Sequence, residues 1–147
     1  MTAHHPLGAS NAHRWRNCPA SVKMERGLPD SSSPAAMEGT LAHWVLEQCL
    51  LTGKEPEEYV GDSIAEAPGF TVTSEMARYI EGVIGRVQLE MAKDPDAILW
   101  AEMRVDYGPW AVDGAFGTSD VVIYLPSEKR LVVIDLKYGL GETVHVA

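Results

Sequence analysis

The sequence has 147 residues, 46% hydrophobic and 22% charged, enough chain for one core of ordinary domain size. Twelve Lys and Arg against 21 Asp and Glu give a net charge of -9, which excludes a protein that coats nucleic acid by bulk attraction. No run approaches the roughly 18 apolar residues that span a bilayer and the first 30 residues lack a secretion signal, so the expectation is a soluble cytoplasmic protein without a membrane partner.

The charge is uneven. Residues 1–30 hold Arg14, Arg16, Lys23 and Arg26 against Glu25 and Asp30, net +2, while the rest of the chain carries -11. The expected organisation is therefore a basic N-terminal arm, 1–30, and a single domain, 31–147. Trp15 between Arg14 and Arg16 is a local pattern suited to DNA, a ring for base stacking flanked by two guanidinium groups for phosphates. His4, His5, His13 and Cys18 fit no familiar zinc spacing and read as part of a polar N-terminus. Cys18 and Cys49 read as free thiols, since a chain of this size needs no staple. Ser31-Ser32-Ser33-Pro34 is a short connector whose end starts a helix, because serine caps orphan amides and proline fits the first turn. That helix should run to about Thr52, with Gly53 as its stop. Within it Ala42, Val45, Leu46, Cys49 and Leu50 form one apolar stripe, and His43 sits at its border. Residues 54–73, punctuated by Pro56, Gly61, Pro68 and Gly69, read as a surface loop.

Met76, Ile80, Val83, Ile84, Val87 and Met91 repeat at helical spacing, which predicts a second helix from near Ser74 to before Asp94-Pro95. The period then changes to two: Leu99, Ala101, Met103, Val105 and Tyr107 alternate with Trp100, Glu102, Arg104 and Asp106, the pattern of a strand with one apolar face. Gly108-Pro109-Trp110 turns the chain, and a second strand extends to Leu125, with Gly114 and Gly117 marking a bulge or a close backbone approach. After the turn Pro126-Ser127-Glu128-Lys129, the apolar run Leu131-Val132-Val133-Ile134 predicts a central strand buried on both faces. Short connections make these strands antiparallel, so the class is α/β, two helices packed on a mainly antiparallel three-stranded sheet.

Chemistry concentrates around the last two strands. Asp135 follows the buried run, with Lys137 two residues on and therefore on the same face; the plain alternative for the two is an ion pair. Gly117-Thr118-Ser119-Asp120 brings a second carboxylate into the same hairpin. With a four-residue loop Leu125 faces Arg130 and Asp120 faces Asp135, two like charges that need a cation between them; a five-residue loop would place them on opposite faces. Glu102, on the polar face of the first strand, can approach the same place or pair with Arg104 or Lys137.

Taken together, Glu38-Gly39-Thr40-Leu41-Ala42-His43, Glu102, Gly117-Thr118-Ser119-Asp120 and Asp135-Leu136-Lys137 resemble the RecB-like branch of the PD-(D/E)XK nuclease superfamily. Ser10-Asn11-Ala12-His13-Arg14-Trp15 and Asn17-Cys18-Pro19-Ala20-Ser21 resemble the opening of its phage-encoded members. The resemblance implies a restriction-endonuclease-like core and a hydrolase that cuts DNA in phage recombination or DNA processing, in a phage-infected or prophage-bearing bacterial cell. It implies that His43, Asp120, Asp135 and the carbonyl of Leu136 ligate Mg²⁺ or Mn²⁺, with histidine favouring manganese. Catalysis would fall to Asp120, Asp135, Lys137 and Glu102, with Lys137 orienting water and offsetting phosphate charge and Glu102 assisting at the metal. DNA contacts would fall to Arg14, Trp15 and Arg16. Members of the branch carry a helix with a Gln-x-x-x-Tyr motif after the Asp-x-Lys strand, and none follows here. The expectation is a C-terminally truncated core, completed by a second polypeptide or another copy of the chain. An alternative is a catalytically incomplete nuclease-fold fragment that binds DNA or protein. Cys18 matches the first cysteine of the iron–sulfur relatives, but three others are lacking, so no iron–sulfur cluster is expected.

Overall fold

The structure, a computed structural model, describes residues 12–24, 33–110 and 113–139. His4, His5, Ser10, Asn11 and the Ser31-Ser32 connector lie outside those residues. The elements are helices α1 (Ala12–Asn17), α2 (Ser21–Met24), α3 (Pro34–Thr52) and α4 (Ser74–Met91), and strands β1 (Ile98–Asp106), β2 (Phe116–Leu125) and β3 (Arg130–Ile134). The strands form one antiparallel sheet in the order β1-β2-β3, an α/β architecture. The chain divides into two compact units, Met1–Ser31 with Glu102–Ser119, and Ser32–Ala101 with Asp120–Ala147.

Local chemistry sets the helix ends. The Ser33 side chain accepts the Ala36 amide, with Pro34 in the first turn, and Gly53 closes α3 at φ 75°, donating its amide to the Cys49 carbonyl. Only a residue without Cβ takes that left-handed conformation at no steric cost. On α4 the Thr73 hydroxyl accepts the Met76 amide. Leu41, Ala42, Val45, Leu46 and Cys49 bury one side of α3, and Met76, Ala77, Ile80 and Val87 one side of α4. All but Ala77 join Val121, Ile123, Leu125 and Leu136 in the core of the second unit. Burial pushes the Cys49 thiol up to about 11, helped by the charges of Glu55 and Glu58.

Two expectations need correction. Residues 54–73 are not a surface loop throughout: a 3₁₀ turn, Pro56–Tyr59, buries Pro56 and Tyr59, and Ala67 and Val72 are buried as well. The Tyr59 ring meets Trp44 edge-on at 5.6 Å and its hydroxyl meets Thr52 Oγ1 at 3.0 Å, so this connection covers one end of α3. Second, β3 lies at an edge of the sheet among the described residues, and β2 is central. Leu131 and Val133 are 61% and 58% exposed, while Asp120, Val121, Val122 and Ile123 of β2 are all buried. The apolar run of β3 has one face on the core and the other open, because the described layers cover a single side of it.

A polar latch fixes the β2–β3 hairpin to the end of α4. The buried Glu90 carboxylate receives Arg86 at 2.7 Å, Lys93 at 2.7 Å and Arg130 at 3.2 Å. The hydrogen bond from Lys93, outweighing desolvation, holds the Glu90 carboxyl below its ordinary pKa. Asp94 is buried too; it accepts the Ser127 amide at 2.7 Å, and its bonds to Ser127 and Asp96 likewise keep its pKa low.

Candidate metal centre

The hairpin register is the one expected for a four-residue turn: Leu125 pairs with Arg130, and the ladder runs to Val121 opposite Ile134. Asp120 is the next residue out on β2 and Asp135 the next on β3. Asp120 leaves the ladder for a different set of partners. One carboxylate oxygen, Oδ2, accepts the Leu136 amide at 2.5 Å, and the other, Oδ1, lies 3.1 Å from Nδ1 of His43 on α3. The Asp120 side chain is 10% exposed and that of His43 33%, so the pair sits at a partly open rim. A nearly buried carboxylate is tolerable here because both its oxygens are met.

An imidazole nitrogen beside a carboxylate oxygen is a donor pair that a divalent cation can take. Octahedral sites with bonds of about 2.1 Å hold adjacent ligand atoms about 3 Å apart, close to the His43–Asp120 separation. His43 and Asp120, both in the second unit, each offer one donor atom, whereas Glu102 belongs to the first unit. Glu102 owes its direction to an irregular backbone. Along β1 Ile98 and Trp100 are exposed while Leu99 and Ala101 are half-buried, and strict alternation would expose Glu102; it is half-buried instead. Its φ of 49° lies in the left-handed region, which costs a residue with a side chain about 1–2 kcal/mol and breaks the side-to-side alternation of the strand. Such strain at a polar residue is typical of functional positions.

Asp135 stands apart from the His43–Asp120 pair. Beyond the end of β3 the alternation continues, with Asp135 and Lys137 exposed and Leu136 buried in the core. Lys137 Nζ lies 2.6 Å from Asp135 Oδ2. The opposed-carboxylate arrangement expected from the register therefore resolves into two local pairs, Asp120 with His43 and Asp135 with Lys137. Leu136 meets Asp120 through its amide N–H. Arg14 and Arg16 are exposed on α1 and Trp15 is half-buried, all within the first unit. Cys18 is exposed and Cys49 buried, neither in a disulfide.

One neighbour of this segment has no signal in the sequence. Tyr79, on the open side of α4, donates its hydroxyl to the Lys137 carbonyl at 2.9 Å. Helical periodicity marks it merely as a solvent-facing residue, and a separation of 58 positions is beyond any local rule.

Residues 4–147 match the model of a family described as a protein of unknown function, DUF2800. No solved structure matches the chain.

Proposed function

The chain belongs to the DUF2800 family of unknown function, and we propose that it is a metal-dependent deoxyribonuclease. The observation that carries the reading is the Asp120 carboxylate, held by the Leu136 amide and set 3.1 Å from His43 Nδ1. Lys137 adds an exposed ammonium one residue beyond Leu136. His43 and Asp120 would hold Mg²⁺ or Mn²⁺, which when bound supplies Lewis acidity and a bound water of lowered pKa. The Leu136 amide keeps the Asp120 carboxylate from rotating, so one oxygen stays directed at His43. Lys137, 65% exposed, can swing from Asp135 to a phosphate and offset the charge that builds there. Asp135 then serves to hold Lys137 until substrate arrives. Among the described residues no helix is long and apolar enough to cross a membrane.

The test is incubation of the purified chain with linear and circular DNA, in Mn²⁺, Mg²⁺ or chelator. Cleavage that needs metal and is lost in His43→Ala is expected, and the circular substrate separates internal cutting from cutting at ends. A second reading, a nuclease-fold module that binds DNA or protein without cutting, is favoured by the Asp135–Lys137 pair lying outside the donor pair. DNA binding without cleavage in any metal would select it.

A further inference from the structure

The segment that carries Lys137 has left the sheet ladder, which ends at Ile134, yet the backbone around it is tied at several points. The Asp135–Leu136 peptide unit is held where Leu136 N–H meets Asp120. The Lys137–Tyr138 unit is held where the Lys137 carbonyl accepts the Tyr79 hydroxyl at 2.9 Å. The Tyr79 and Tyr138 rings meet edge-on with centroids 5.3 Å apart, and Tyr138 packs against the core. On the other side α3 comes close: a Cβ on Gly39 would lie 3.7 Å from the Tyr138 carbonyl, and one on Gly139 3.5 Å from the Ala35 carbonyl.

The Lys137 side chain is mostly open to solvent, 65% exposed, with Asp135 as the partner of its ammonium. The backbone from which it springs is fixed, since the two peptide units flanking the Leu136–Lys137 pair are pinned by Asp120 and Tyr79. We propose that Tyr79 is a positioning residue, whose hydroxyl fixes the Lys137 carbonyl and thereby aims the Lys137 ammonium toward the substrate phosphate. This rests on the nuclease reading above. Tyr79 touches neither the donor atoms nor the ammonium; it acts through the backbone of Lys137.

Tyr79→Phe removes the hydroxyl and keeps the ring that meets Tyr138. With linear double-stranded DNA and Mn²⁺, the variant should lose about five-fold in kcat, the usual worth of one neutral hydrogen bond, with KM unchanged. Mn²⁺ affinity should stay at the wild-type value, while the melting temperature should fall by about 4 °C for the lost bond. The decisive readout is the cycle with Lys137→Ala: if Tyr79 acts through Lys137, the double variant has the same kcat as Lys137→Ala alone. A five-fold loss that multiplies onto Lys137→Ala, or no loss in Tyr79→Phe, overturns the proposal. Should the wild type show no metal-dependent cleavage, the nuclease reading fails separately. The positioning of Lys137 is then read by NMR, where Tyr79→Phe should move the Tyr138 amide nitrogen and the Lys137 side-chain resonances but not those of His43. Unmoved Lys137 and Tyr138 resonances would refute it.

Discussion

Replacing Asp120 by Asn separates the structural role of this side chain from its role toward a cation. Asparagine has nearly the same volume and retains an oxygen for the Leu136 amide, but gives up the negative charge beside His43. In the metal-free protein a charge-assisted bond at 2.5 Å becomes a neutral one, and the cost should be about 1 kcal/mol. For a chain of this size that is a fall of about 4 °C in melting temperature. The larger effect is on linkage. Mn²⁺ at a hundred times its Kd should stabilise the wild type by about 2.7 kcal/mol, a rise of about 10 °C. The variant should lose most of that rise. The assay is thermal unfolding of both proteins in chelator and across a Mn²⁺ titration. An undiminished Mn²⁺-induced rise in Asp120→Asn would show that the carboxylate is not a ligand, and a rise in metal-free stability would show that the Leu136 and His43 contacts do not stabilise it.

Two further outcomes follow from buried groups away from the centre. Glu90 has its pKa lowered in the folded state by Lys93 and its neighbours, so its contribution is complete above the ordinary value of 4.5 and is lost as the pH falls through the folded value. Glu90→Gln should flatten the acid limb of a stability–pH profile below about pH 4.5 and lower stability at neutral pH; an acid limb identical to the wild type would contradict the latch. Cys49 is buried and held in the thiol form up to about pH 11, whereas Cys18 is exposed. Alkylation of the native chain at pH 8 should label Cys18 quickly and Cys49 only after denaturation, read by mass spectrometry; rapid labelling at Cys49 would argue against its place in the core.

Much of the secondary structure was legible from residues a few positions apart. Ser33-Pro34 and Gly53 bound α3 because capping involves only the nearest turns, whereas the turn after Leu125 allowed a four- or a five-residue loop and only the structure selects the four-residue register, Leu125 with Arg130. The apolar stripes of α3 and α4 identified their buried sides for the same local reason as the caps. Residues 54–73 misled because glycine and proline announce irregular backbone but not whether it is covered; Tyr59 is buried by contact with Trp44 and Thr52 on α3.

The candidate centre divides along the same line. The sequence alone marked His43, Glu102, Asp120, Asp135 and Lys137 as the residues with chemistry to explain, and the strand period put Asp135 and Lys137 on one face, where they pair. It did not decide which carboxylate meets His43. That depends on where the β2–β3 ladder ends and on the way α3 lies against the segment after β3. Periodicity assigns a face to each residue of a regular element. At the ends and irregularities of those elements the partner is set by packing between parts of the chain far apart in sequence, so the pairing of Asp120 with His43 and of Tyr79 with Lys137 exists only in the tertiary structure.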